Sequence, residues 1–152
     1  MPASTGRGRP LLLFSAIAAV TVVLDQTTKA VALAHLQSGP IPLLGGTIRL
    51  TLTRNTGSAF GLPAPAWATA AVSLIVCVVV LLWIARGTGA SRLRAIALGF
   101  VLGGAGGNLV DRVRAGAVVD FVDLGIWPVF NVADIALTIG IGLLMLEAIR
   151  RR

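Results

Sequence analysis

Carboxylates are the side chains of this sequence best suited to chemistry, and there are six: Asp25, Asp111, Asp120, Asp123, Asp134 and Glu147. An ionisable group at membrane depth costs from about 2.5 to more than 10 kcal/mol unless it is paired or hydrated. The first five nevertheless fall on the same side of the apolar segments described below, which points to a site rather than to scattered surface charge. Two carboxylates meeting at a partly dry interface resist double ionisation, so they hold one proton between them near neutral pH. Such a pair can hydrolyse an amide: one member takes a proton from water while its protonated partner polarises the carbonyl. Residue types and spacing alone leave open which two of Asp25, Asp111, Asp120, Asp123 and Asp134 converge.

Other chemistries find little support. The single His35 stands beside a helix end without a nucleophile motif and reads as an interfacial residue. Cys77, the only cysteine, lies mid-span and reads as packing. With no Cys/His set a zinc site is not expected, and no other metal or cofactor is implied. The run from Gly103 through Gly104, Gly106 and Gly107 to Arg112 lacks the strand context and the Lys-Ser/Thr ending of a phosphate loop. Glycines at 99, 103 and 107 instead form two overlapping GxxxG patterns, which let helices approach closely. Asn108, Asp111 and Arg112 continue the helical face of Gly104 and Gly107, and neighbouring Asp and Arg residues are an ordinary structural pairing. Asn131 and Asp134 have the spacing of an N-cap and a first-turn acid. Asp120 interrupts an apolar run, as an outward-pointing strand residue does.

The elements that must position these groups are membrane spans. Of 152 residues, 56% are hydrophobic and 12% charged, with a mean hydropathy of +0.90, whereas a soluble domain carries about 25% charged residues. Disorder is excluded and a water-exposed fold disfavoured. Residues 64–85 give 22 positions without a charge, about 33 Å of helix and enough for a bilayer core. The run 11–24 follows Arg7, Arg9 and Pro10, and Ala32-Leu33-Ala34 is like a signal-peptide cleavage site. Asp25, Gln26 and Lys29 spoil that reading, so this segment is expected to remain as a helix. Ile48, Leu50 and Leu52 alternate with Arg49, Thr51 and Thr53, the pattern of a half-buried strand, after a Gly45-Gly46 turn. Val118, Val119, Phe121 and Val122 offer it a partner. The expected fold is an all-α membrane protein with four transmembrane helices, at about 11–34, 64–85, 95–112 and 132–149, and a small β element on the outer membrane face. No repeat or linker divides the chain, so 1–152 reads as one integral-membrane domain.

The net charge is +7, but its basic residues flank apolar segments and form no stripe with interleaved aromatics, so nucleic acid is not the expected partner. Membrane lipid is. Arg7, Arg9, Arg86, Arg92, Arg94, Arg150, Arg151 and Arg152 fall on one side of the spans, against Lys29, Arg49, Arg54, Arg112 and Arg114 on the other. Positive residues stay in the cytoplasm, which places both termini inside and the two long polar connections, with the five aspartates, outside.

Four blocks in order resemble the lipoprotein signal peptidases, or signal peptidase II: Asp25-Gln26-Thr27-Thr28-Lys29, Asn55-Thr56-Gly57-Ser58-Ala59-Phe60, Gly103 to Arg112 with Val118-Val119-Asp120-Phe121, and Phe130-Asn131-Val132-Ala133-Asp134. The resemblance runs from about residue 20 to 148. It implies an aspartic endopeptidase of the bacterial cytoplasmic membrane, acting as a monomer without a cofactor. The implied substrates are diacylglyceryl-modified prolipoproteins, cleaved on the amino side of the lipidated cysteine. By block position the catalytic pair falls on Asp120 and Asp134. Asn55, Asn108, Arg112 and Asn131 match residues that orient substrate and pair, while Asp25, Lys29 and Asp111 match supporting positions. The helix dipole favours negative charge at the start of the last span, so the shared proton is expected on Asp120. The region 48–60 is expected to cover the site, with Trp67 and Trp127 as interface anchors.

Three rival readings remain at this stage. An ion-coupled transporter would carry its acids near the bilayer midplane and show a repeat. A lipid phosphotransferase would need a divalent metal, and a packing subunit would need no acid pair at all.

Overall fold

The computed structural model describes residues 8–57, 64–86 and 91–150. Four of the described helices are long and apolar enough to cross a membrane: α1 (Gly8–His35), α2 (Ala66–Ala85), α3 (Arg92–Ala115) and α4 (Val132–Arg150). α1 and α3 run about a turn past the apolar stretches that mark them in the sequence. α3 is the central helix. More than half of its most apolar stretch, 56%, is buried, against 17–22% for the others, and it packs on α1, α2 and α4. The remaining faces of the outer helices carry exposed Val, Leu and Ile side chains, the composition expected where lipid is the solvent.

Glycine explains how α3 accepts neighbours on two sides. Gly99, Gly103 and Gly107 face α1: a methyl group at Gly103 would lie 2.5 Å from Thr21 Cβ, and one at Gly107 2.5 Å from Asp25 Oδ2. Gly104 turns the other way, against the Ala133 carbonyl and Leu137 of α4, where Gly140 in turn meets the backbone of Ala97. The Gly99–Gly103–Gly107 stripe is thus one packing face, as its spacing suggests, whereas Gly104 and Gly107, which read as sharing a face, meet different helices, and the residues following them divide in the same way. An apolar core of Phe14, Val80, Ala95, Leu98 and Val101 fills the half of the bundle away from the five aspartates.

Ser91 caps the start of α3 by accepting the Arg94 amide. Gly116 ends it in a left-handed conformation, φ +69°, with its amide bonded to the Arg112 carbonyl. That conformation is cheap only for glycine, and it reverses the chain into a strand within two residues.

The sheet has three antiparallel strands in the order β1 (Ile41–Leu43), β2 (Ile48–Asn55) and β3 (Val118–Asp123). β2 and β3 are the pair expected from alternation; β1, only three residues and fully exposed, carries no such signal. The register pairs Asn55 with Val118 and Thr53 with Asp120, then shifts between Thr53 and Leu50. Leu50, Leu52, Phe121 and Val122 pack over Ala32 and Leu36 of α1 and Val132 of α4, which fixes the sheet across the ends of two spans.

Candidate active site

Asp120 and Asp134 lie on elements that meet through one local device. The chain leaves β3, turns, and comes back so that Phe130 pairs with Val122, each amide bonded to the other's carbonyl at 2.9 and 3.0 Å. Asn131 and the start of α4 are thereby brought beside Asp120. The Asn131 Oδ1 accepts the Asp134 amide at 3.0 Å, while Asp134 Oδ2 accepts the Asn131 amide at 3.2 Å. This is a reciprocal N-terminal cap, so the capping role suggested by the spacing and a place in the site belong to the same residues. The cap leaves Asp134 Oδ1 to a partner outside it, Asn108.

The two carboxylates line a common cavity of about 430 Å³ with Asn55, Asn108, Arg112 and Trp127. Val72 and Val76 of α2, Ala105 of α3 and Leu137 of α4 form its apolar wall. Asp120 is 2% exposed and accepts from Asn131 Nδ2 at 2.6 Å on Oδ1 and from Asn55 Nδ2 at 3.1 Å on Oδ2. Burial pushes its carboxyl up to about 6; the Asn55 hydrogen bond opposes that rise, and the negative charge of Asp134 adds to it. Asp120 is therefore inward-pointing, not the outward strand residue its sequence context suggests.

Beneath the pair lies a buried polar layer. Asn108 donates from Nδ2 to Asp134 Oδ1 at 2.9 Å, and its Oδ1 accepts from Asn131 Nδ2 at 3.1 Å and from Lys29 Nζ at 3.0 Å. An ammonium only donates, so Lys29 fixes which end of the Asn108 amide faces Asp134. Lys29 itself, 2% exposed, contacts Asp25 Oδ2 and Asp111 Oδ2, each at 2.8 Å. The two acids also hold backbone. Asp25 Oδ1 accepts the Ala133 amide at 3.0 Å and Asp111 Oδ2 the Val119 amide at 3.2 Å. The triad thus ties α1 and α3 to the residues adjoining Asp134 and Asp120.

Adjacent positions on a helix diverge by about 100°, and Asp111 and Arg112 do so here: Asp111 turns to Lys29, whereas Arg112 donates from Nη1 to Ser73 of α2 at 3.1 Å. The Arg112 Nε is buried and has no hydrogen-bond partner among the described residues. Asp123 is not part of the site; it pairs with Arg49 at 2.8 Å and closes a turn through the Gly125 amide. Trp127 is exposed on the cavity rim and Trp67 on α2. β2 reaches the site through Asn55, whereas Ser58, Ala59 and Phe60 of the expected cover lie outside the described residues. Gln26, which carries no site signal in the sequence, donates to Asp111 Oδ1 at 2.9 Å and to the Gly107 carbonyl at 3.2 Å. The one sequence signal of Ser73 is a hydroxyl in an uncharged span.

Residues 17–150 match the family model described as signal peptidase (SPase) II. The chain belongs to the signal peptidase II family. A lipoprotein signal peptidase of Brevibacillus brevis is 44% identical over 136 residues, covering 86% of this chain and 91% of that protein. Another, from Halalkalibacterium halodurans, is 40% identical and covers 91% and 93%. A solved bacterial membrane enzyme superposes with a TM-score of 0.81 at 28% identity, over 94% of this chain and 88% of its own. The fold expected of the signal peptidase II family, four spans with a small sheet, is the fold observed.

Proposed function

We propose that Asp120 and Asp134 form the catalytic pair of an aspartic endopeptidase that removes signal peptides from diacylglyceryl-modified prolipoproteins. The observation that carries this reading is the pair's position in one cavity, each held by an amide of the same Asn108–Asn131 unit. Asp134 takes a proton from the attacking water as its oxygen bonds to the scissile carbonyl carbon. Asp120 gives its proton to the carbonyl oxygen, producing a neutral tetrahedral diol. On collapse the proton held by Asp134 passes to the cysteine nitrogen, the C–N bond breaks, and Asp120 recovers the hydroxyl proton. The products are the carboxylic acid of the signal peptide and the free amine of the lipidated cysteine, and the acid then passes its proton to the amine or to water.

Arg112, whose Nε has no partner among the described residues, and Asn55 are the donors for the substrate backbone. The cavity wall of Val72, Val76 and Leu137 on α2 and α4 supports lateral entry, so the acyl chains stay in lipid while the amide reaches the acids. The whole chain acts as one monomeric, multi-pass membrane domain with cytoplasmic termini and the site toward the outer face. The arginine bias supports this orientation. It is sharpened because Lys29 and Arg49 at the sheet end are already paired with acids.

Purified enzyme should cleave a diacylglyceryl-modified precursor at least roughly 100-fold faster, by kcat/KM, than the same precursor without lipid. Withdrawal of four methylenes from water into the surrounding lipid or detergent, at about 0.8 kcal/mol each, would suffice to concentrate the lipidated precursor at the site. Equal rates on both would defeat the reading.

A pH profile tests the proton assignment. Asp120 loses its proton as pH rises through about 6, so kcat/KM of the free enzyme should fall on the alkaline side of that value. The Asn55 amide favours the ionised form, and Asn55→Ala should move that limb to higher pH. A limb that stays fixed or moves down counts against Asp120 as the acid.

A further inference from the structure

At the end of the bundle opposite the sheet, a groove of about 620 Å³ runs between α1 and the start of α3, lined by Arg9, Pro10, Leu12, Leu13, Ala16 and Arg92. Its chemistry changes along its length. Arg9, Leu12, Leu13 and Ala16 follow the spacing of one helical face, so a cation at the helix end gives way to an apolar strip running about 10 Å toward mid-bundle. Leu12 is 73% exposed within it. Arg92 supplies a second cation from the first turn of α3, where the helix dipole also favours an anion.

Neither arginine has an ion-pair or hydrogen-bond partner among the described residues. The acid nearest this end in sequence, Glu147, is engaged by Arg94 at 3.0 Å and by the Ser91 hydroxyl at 2.6 Å. The other five acids belong to the sheet half of the molecule. Two uncompensated guanidiniums at the mouth of an apolar groove match an amphiphile with a negative head and a hydrocarbon tail. They do not match a soluble anion, which would leave the apolar strip unused, or a neutral lipid, which would leave the charge unmatched. Guanidinium groups bind phosphate oxygens in a bidentate manner.

We propose that this groove is a specific site for one anionic phospholipid, its phosphate between Arg9 and Arg92 and an acyl chain along Leu12, Leu13 and Ala16. The bound lipid joins the first and third helices at the end where their contact lacks a polar layer such as the Lys29 triad.

The full-length enzyme in micelles, titrated with phosphatidylglycerol or with phosphatidylcholine of the same acyl chains and read by native mass spectrometry, tests this. Wild type should retain one phosphatidylglycerol with roughly 30-fold preference, the effect of two basic residues near a lipid phosphate. Arg9→Gln and Arg92→Gln should each reduce the preference by about fivefold, and the double variant should remove it. Arg150→Gln, at the same end but outside the groove, should leave it intact. The proposal is overturned if the double variant keeps its preference or if Arg150→Gln removes it equally, which would indicate diffuse charge. Displacement of the lipid by an equal concentration of glycerol phosphate would also overturn it, since a bare phosphate would then suffice.

Discussion

Asp120→Asn and Asp134→Asn should each lower cleavage of a lipidated precursor by at least about 10³-fold, and the double replacement should be little worse than either alone. General acid–base catalysis by one positioned group contributes about 10² to 10⁴, and residues that act as a unit lose that contribution together. The two replacements differ in structural consequence. Both oxygens of Asp120 accept from amide donors, Asn131 and Asn55, so an amide in its place must turn an NH2 toward one of them. At Asp134, Oδ1 faces the Asn108 NH2 and Oδ2 the Asn131 backbone amide, with the same result. A lost buried hydrogen bond costs about 1–3 kcal/mol, less than the stability of a typical domain. Protein should therefore still accumulate in membranes, and the activity loss can be normalised to amount. Either single variant cleaving within tenfold of wild type at equal amount would remove the pair from the mechanism. Additive losses in the double variant would show two independent groups, not a shared proton.

The spans were legible because a bilayer demands about 20 apolar residues in a row, and the uncharged 64–85 run meets that demand outright. The β2 strand was legible because period-two alternation survives on a half-buried surface. What the residues alone could not give was convergence. Asp120 reads as an outward strand residue and Asp134 as a helix cap, each an adequate local account. Their meeting depends on the Val122–Phe130 bridge, a contact with no pattern in the sequence, and the resemblance to a family supplied that pairing instead. Asp111 shows the opposite limit. Its neighbour Arg112 offered an obvious partner, but helical geometry sends the two apart, and its actual partner, Lys29, is 82 positions away on another helix.

Lys29→Met should be the most destabilising replacement outside the acid pair. Removing one partner of a buried ion pair costs about 3–5 kcal/mol, and here one cation serves two carboxylates, Asp25 and Asp111, both of them buried. Thermal unfolding of the solubilised enzyme should shift down accordingly, or the protein should fail to accumulate. Loss of fold and loss of positioning are separable. Asp25 and Asp111 each also accept a backbone amide, from Ala133 and Val119, and an asparagine can still accept through its oxygen. Adding Asp25→Asn and Asp111→Asn to Lys29→Met removes the uncompensated charge while keeping those two bonds, so stability should recover most of the loss. Activity should not recover with it. Without the ammonium, the oxygen end of the Asn108 amide keeps only the Asn131 Nδ2 donor, so its NH2 is held less firmly toward Asp134. That loss should appear in kcat more than in KM, because Asn108 orients the base and the wall that holds substrate is untouched. If the triple variant regained wild-type kcat, Lys29 would be a structural cation alone; if Lys29→Met were as stable and active as wild type, the buried triad would not organise the site at all.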